Sequence, residues 1–338
     1  MLKQLPAPLR GAFSFLLYTI NTLFWVTPIL ILAILKFIIP VEGWRNFCDR
    51  LLNGAANRWV GTNSYIQDLF CKTRWFVNEV KSIPEKGWYL VLANHQSWVD
   101  ILVLQRIFHN RIPFLKFFLK KELFWLPVLG LAWWALDFPF MKRYSRAYIK
   151  KHPDRAGKDM EITRKACEKF KKVPISIMNF VEGTRFTKEK HQLQRSPFKN
   201  LLKTHAGGIA YVLSAMGGQL NRIMDVTIVY PIGVNRFWDF ICGNIDEIRV
   251  HVNPITIPEG LIGDYLGDRA FRSRFHHWLN DLWEKKDLRF EELTAKATPS
   301  KGEEPNMMTL DRLPQKQANY STGINESALS ENRPPASM

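Results

Sequence analysis

The string Asn94-His95-Gln96-Ser97-Trp98-Val99-Asp100 places an imidazole and a carboxylate five positions apart. On a regular helix such positions point about 140° from one another, because each residue turns the chain by about 100°. His95 and Asp100 therefore meet only if His95 stands just outside a helix and Asp100 lies in its first turn. Ser97 is a suitable N-cap for that helix. So arranged, Asp100 holds His95, and His95 takes a proton from an attacking hydroxyl. Taken alone, the pair equally suits a helix cap beside a polar turn. The chain has no G-x-S-x-G motif, which favours direct attack by a substrate hydroxyl over an acyl-enzyme.

A second cluster, Phe180-Val181-Glu182-Gly183-Thr184-Arg185-Phe186, ends in backbone N–H groups, a hydroxyl and a guanidinium that together suit a phosphate. Arg143, in Phe138-Pro139-Phe140-Met141-Lys142-Arg143, is a further candidate for the same anion. Both clusters need elements to hold them. Strands are expected over Arg74–Val80, Trp88–Ala93, Pro174–Val181, Asp225–Pro231 and Arg249–Ile257, where β-branched and aromatic residues gather. Helices are expected over Ser97–Phe108, Lys158–Lys171, Gly207–Met216 and Asp268–Glu292. The alternation predicts an α/β fold with helices packed over one sheet, and the polar strings fall at strand ends, where such folds carry their chemistry.

From Gly11 to Leu35 there is no charged side chain, a run longer than the roughly 20 residues that cross a bilayer. It predicts a membrane anchor over 1–45, either one tilted span or a re-entrant hairpin, since Thr19, Asn21, Thr22 and Pro28 interrupt its middle. A second apolar stretch, Lys120–Phe140, is broken by Pro127 and Gly130 and suits a headgroup-level segment and a core helix equally. The folded domain is expected over 46–296. A polar tail rich in Ser, Pro, Asn, Gln and Glu follows over 297–338 and is expected to be disordered. The tail holds 4 basic and 5 acidic side chains, a net of −1, so with the whole chain at +16 the part before it carries +17. A basic body meets nucleic acid, anionic lipid or acidic small molecules, and the apolar N-terminus selects lipid. The 4 cysteines form no C-x-x-C pair, which excludes a disulfide scaffold and a zinc ribbon.

In order, Asn94-His95-x4-Asp100, Phe140-x-x-Arg143, Val181-Glu182-Gly183-Thr184-Arg185 and Val229-Tyr230-Pro231 resemble the four sequence blocks of the PlsC-like glycerolipid acyltransferases. The resemblance runs from about Trp75 to Ile257, with the anchored, basic YihG-type bacterial members most similar. It implies a single mixed-sheet acyltransferase domain in which His95 is the general base and Asp100 orients it. Arg143, Glu182, Gly183, Thr184 and Arg185 would bind the acceptor's phosphate or glycerol, with Phe140 and Pro231 beside them. It further implies a lysophospholipid acceptor, most simply 1-acylglycerol-3-phosphate, and an acyl-CoA or acyl-carrier-protein donor. No metal, no other cofactor and no nucleic acid is expected. The address implied is a bacterial inner membrane, with the catalytic domain facing the cytoplasm. Two features depart from the pattern. Thr204-His205-Ala206-Gly207-Gly208 stands where the family has a Lys-x-Gly-Gly-like turn. Asp137 replaces a glycine common in the second block, and a carboxylate beside an acceptor phosphate would be unfavourable. That leaves lysophosphatidylglycerol or lysocardiolipin as alternative acceptors. A non-catalytic, basic membrane-bound interaction protein is the other class of reading.

Overall fold

The computed structural model describes residues 2–78, 87–141, 158–233, 236–295 and 307–309. The apolar run forms one continuous helix, α1 (Ala7–Ile38), and the chain turns back into α2 (Glu42–Phe70), which packs along it. The polar residues expected to break α1 do not. Thr19 and Thr22 donate to the carbonyls of Phe15 and Tyr18 at 2.8 and 2.7 Å, within the helix's own turns. Asn21 reaches α2, donating to Trp59 O at 3.2 Å and Asn63 Oδ1 at 2.8 Å. Pro40 ends α1 by driving Ile39 into an extended conformation, φ −102° and ψ 103°. The hairpin turn thus falls after the apolar run, not inside it.

Six strands make one sheet: β1 (Arg74–Asn78), β2 (Trp88–Ala93), β3 (Leu115–Phe117), β6 (Ser176–Phe180), β7 (Leu220–Val229) and β8 (Glu247–Ile255). Two short strands, β4 (Leu119–Lys120) and β5 (Phe140–Met141), pair separately as a parallel ribbon. Across the sheet the order is β3-β6-β2-β7-β8-β1, parallel from β3 to β7, then antiparallel at β7–β8 and parallel at β8–β1. A three-residue strand, β9 (Met307–Thr309), lies antiparallel on the outer edge of β1, inside the segment expected as a structureless tail.

Helices cover both faces: α3 (Val99–Phe108), α4 (Leu129–Ala135), α5 (Lys158–Phe170), α6 (Lys188–Gln194), α7 (Gly207–Met216), α8 (Phe237–Ile241) and α9 (Arg269–Ala295). The alternation along β2 divides the core. Tyr89, Val91 and Ala93 pack with α1, α2 and α3, while Leu90 and Leu92 pack with α5, α7 and α9. All five are fully buried, as a central parallel strand covered on both faces requires. On β7 the same alternation sends Asp225 toward α9, where it meets Lys286, and Met224, Val226 and Ile228 toward α3. The apolar stretch Lys120–Phe140 becomes a short 3-10 turn and α4, which packs on α1.

The hairpin is fastened to the domain by charge. Lys36 at the end of α1 contacts Asp49 of α2 and Asp137 after α4, both at 2.5 Å. Asp137 also takes Lys169 of α5 at 2.8 Å. Asp137 has φ +57°, a backbone region that glycine enters freely and Asp tolerates, which accounts for glycine being acceptable there. Its carboxylate is committed to two lysines: burial opposes its charge, but Lys36 and Lys169 more than offset that and hold it below the usual carboxylate range. Asp137 is thus tied to the hairpin and to α5 through its two lysines.

Candidate active site

β2 is parallel to both neighbours, and its C-terminal end opens into Asn94 and His95. Asn94, fully buried, clamps the neighbouring strand by donating to Ile228 O at 2.9 Å and accepting from Ile228 N at 2.8 Å. The next residue is thereby held at the mouth of the β2–β7 pair. α3 begins at Val99, so His95 lies outside the helix and Asp100 in its first turn, and His95 Nδ1 reaches Asp100 Oδ2 at 2.8 Å. Ser97 Oγ accepts from Val99 N at 3.3 Å, and Asp100 Oδ2 reaches back to accept from Gln96 N at 2.6 Å and Ser97 N at 2.9 Å, so Ser97 and Asp100 cap the helix start reciprocally, as their spacing suggests. Asp100 offers only acceptor oxygens to the ring, so His95 Nδ1 carries the proton and the Nε2 lone pair is left free. The ring also stacks on Phe180 of β6, centroids 3.7 Å apart and planes 7° from parallel. The His95 side chain keeps 12% of its surface exposed, enough to meet a substrate.

The Glu182 cluster is assembled against the same turn. Gly183, at φ +66°, turns the chain after β6, with its N–H on Phe180 O at 2.9 Å. Glu182 is buried and accepts from His95 N at 2.8 Å and Leu202 N at 3.0 Å, so it braces the His95 backbone. Burial pushes its carboxyl up to about 8 against the opposing pull of those two N–H groups. Phe186 N donates to His95 O at 2.7 Å and closes the second side of the brace. Thr184 Oγ1 and Arg185 O both accept from Lys190 Nζ, at 2.8 and 2.9 Å, which pins the turn to α6. The Arg185 guanidinium lies exposed over Trp98, 4.8 Å from the ring centroid, two residues before Asp100.

The structure thus brings His95, Asp100, Glu182, Gly183, Thr184 and Arg185 together from two strand ends. Phe140 sits in the β4–β5 ribbon, edge-on to Phe124 at 5.5 Å. Pro231 follows β7, one residue after Tyr230. Arg143 lies outside the described residues. Two neighbours stand inside the motif strings but were given no role there. Tyr230 Oη donates to Asp100 Oδ1 at 2.7 Å, and Trp98 carries the Arg185 guanidinium. A buried tyrosine at the end of a strand was the available signal for the first; an aromatic inside the His–Asp spacing was the signal for the second.

The family model for Acyltransferase matches residues 74–234, from β1 to just past Tyr230, and so encloses this whole constellation. The match covers a little under half of the chain. Three curated relatives are similar to it. They are 2-acyl-1-lysophosphatidylinositol acyltransferase of Saccharomyces cerevisiae (23% identical over 60% of this chain and 60% of the relative), human 1-acyl-sn-glycerol-3-phosphate acyltransferase alpha (26%, over 56% and 58%), and Arabidopsis thaliana 1-acyl-sn-glycerol-3-phosphate acyltransferase 3 (28%, over 41% and 37%). The chain spans at most 60% of the length of these acyltransferases. Among solved structures, the 1-acyl-sn-glycerophosphate (LPA) acyltransferase PlsC from Thermotoga maritima is similar over 86% of this chain and 98% of that one, with TM-score 0.49 and 16% identity. The α/β expectation with helices over a mixed sheet is met by the sheet and helices described above, and the family match encloses the four blocks.

Proposed function

We propose that the protein transfers a fatty acyl group from an acyl thioester to the free hydroxyl of a lysophospholipid, most simply 1-acylglycerol-3-phosphate. The observation that carries this reading is the His95–Asp100 pair, with the Arg185 guanidinium exposed over Trp98 inside the same short segment. His95 Nε2 takes the proton of the acceptor hydroxyl as its oxygen bonds to the thioester carbonyl carbon. The tetrahedral adduct then collapses, the C–S bond breaks, and the imidazolium returns its proton to the leaving thiolate. The products are a diacyl lipid and a free thiol, and the step as written calls for no metal. Asp100 stabilises the transient imidazolium without itself being protonated. Arg185, the Gly183-Thr184 turn and the undescribed Arg143 serve the acceptor phosphate.

Membrane attachment belongs to the same reading. α1 is 32 residues long and apolar enough to cross a bilayer, and only 17% of its most apolar window is buried. Phe13, Leu16, Ile20, Phe24 and Phe37 remain exposed on it, and Trp125 and Trp134 are exposed beside its partner α4. α2, with Asp49, Arg50, Arg58 and Asp68, lies along α1, so crossing would carry those charges into hydrocarbon. An interfacial seat on an anionic leaflet fits better, with the domain on the cytoplasmic side where thioester donors occur. The resemblance to anchored bacterial members points to the inner membrane.

The test supplies full-length protein in mixed micelles with acyl-CoA or acyl-carrier protein. The acceptors are 1-acylglycerol-3-phosphate, lysophosphatidylinositol, lysophosphatidylglycerol and lysocardiolipin. The expected result is diacyl product, fastest with 1-acylglycerol-3-phosphate; no product from any pair would end the proposal. With the productive pair, Trp98→Ala should raise the acceptor KM about two- to fivefold with kcat little changed, since an exposed cation–π contact is worth about 0.5–1 kcal/mol. Trp98→Phe should restore most of the affinity. An unchanged KM in Trp98→Ala would remove Arg185 from the acceptor site.

A further inference from the structure

We infer that Tyr230 is a positioning residue for the His95–Asp100 pair, whose hydroxyl fixes Asp100 and sets how strongly His95 holds its proton. The inference rests on the acyl-transfer reading and deepens it at the same site. The two oxygens of Asp100 have different partners. Oδ2 serves residues next to it in sequence: His95 Nδ1 at 2.8 Å, Gln96 N at 2.6 Å and Ser97 N at 2.9 Å. Oδ1 accepts from Tyr230 Oη at 2.7 Å, a group 130 positions away on the end of β7. The Asn94–Ile228 clamp fixes that strand end two residues earlier, so the tyrosine arrives from a rigid element. The bond therefore ties a short helix-start motif to the centre of the sheet.

The direction of this bond is set by its surroundings. Tyr230 is buried, and burial together with the adjacent Asp100 carboxylate keeps its phenol protonated far above neutral pH. Its hydroxyl therefore donates and the carboxylate accepts. A donor on a carboxylate spreads the negative charge and weakens its pull on a neighbouring imidazolium. The charged and titratable groups around the pair come from every side. Glu182 at the end of β6 accepts from His95 N, Lys286 of α9 acts on Glu182, and Arg185 lies over Trp98 on the open side. Among the described contacts of these groups, the hydrogen bond to Asp100 Oδ1 is Tyr230's.

The experiment follows kcat/KM against pH for the full-length protein in micelles, with 1-acylglycerol-3-phosphate and acyl-CoA as probes. Tyr230→Phe keeps the ring and removes the donor. It should lower kcat about tenfold, leave the acceptor KM within about twofold, and move the acid limb of the profile up by about half to one pH unit. Installing 3-fluorotyrosine at position 230 gives a stronger donor of nearly the same volume and should move that limb downward. This second variant carries the test if Tyr230→Phe fails to fold. Both profiles superimposing on the wild-type limb would show that Tyr230 only fills space and would overturn the inference. A wild type that makes no diacyl product would overturn the acyl-transfer reading first, and the role of Tyr230 with it.

Discussion

Asp100→Asn should lower kcat by about 10³- to 10⁴-fold while the fold persists, because the change is nearly isosteric and removes the negative charge that stabilises the imidazolium of His95. Asp100 Oδ2 now accepts from His95 Nδ1 and from the N–H groups of Gln96 and Ser97, and Oδ1 from Tyr230. An amide has one oxygen for these donors. Held at the Oδ2 position by Gln96 N and Ser97 N, that oxygen still accepts from His95 Nδ1–H, while the NH₂ takes the Oδ1 position facing Tyr230 Oη. What is lost is the negative charge that stabilises the transient imidazolium. Initial rates at saturating donor would measure the loss, with tryptophan fluorescence and circular dichroism matched to the wild type. A loss under tenfold in a folded Asp100→Asn would mean that His95 does not depend on the charge of Asp100.

The second large effect is on stability. Lys286 of α9 is almost fully buried, contacting Asp225 Oδ1 at 2.5 Å and donating to Val226 O at 2.6 Å beneath β7. Lys286→Ala would strip the partner from a buried carboxylate as well as open a cavity beside Trp283, whose ring lies 5.0 Å from the ammonium. Breaking a buried pair on one side costs about 3–5 kcal/mol. Replacing both members with apolar residues, Lys286→Met with Asp225→Leu, should recover most of it. Chemical denaturation of the three proteins decides the matter. A Lys286→Ala variant within about 1 kcal/mol of the wild type would show that Asp225 is neutral or finds water there.

These two effects draw on differently legible parts of the chain. The His95–Asp100 meeting follows from local geometry alone, because five positions leave one way for the side chains to touch, and the structure realises it. The Ser97 cap is local too, with its hydroxyl on Val99 N and Asp100 reaching back to Ser97 N. The central strands were readable from β-branched and aromatic runs, with ends off by a few residues: β7 begins at Leu220, before the Asp225 that the pattern suggested. α2 was invisible to that pattern. Its buried positions, Cys48, Leu52, Ala55, Ala56, Val60 and Ile66, make a narrow stripe of small residues among many polar ones, and its partner is α1 rather than the sheet. β3, β4 and β5 are two or three residues long, too short for any periodicity to register. Tyr230 and Lys286 depend on pairings across 130 and 60 positions, which only the folded sheet brings together.

Asp137 shows the same limit from the other side. Read in sequence, it was a misplaced charge near an anion site. In the fold it joins Lys36 of the hairpin to Lys169 of α5, and so fastens the hairpin to the domain.

The most direct test of the account measures free thiol and diacyl lipid together, for the wild type and a folded His95→Ala, in micelles or vesicles with the thioester and lysolipid on which the wild type is active. The account predicts one thiol released per diacyl lipid formed by the wild type, and loss of both products by about 10³-fold or more in His95→Ala. Transfer that survives the substitution, or thiol release by the wild type with no diacyl lipid, would contradict it.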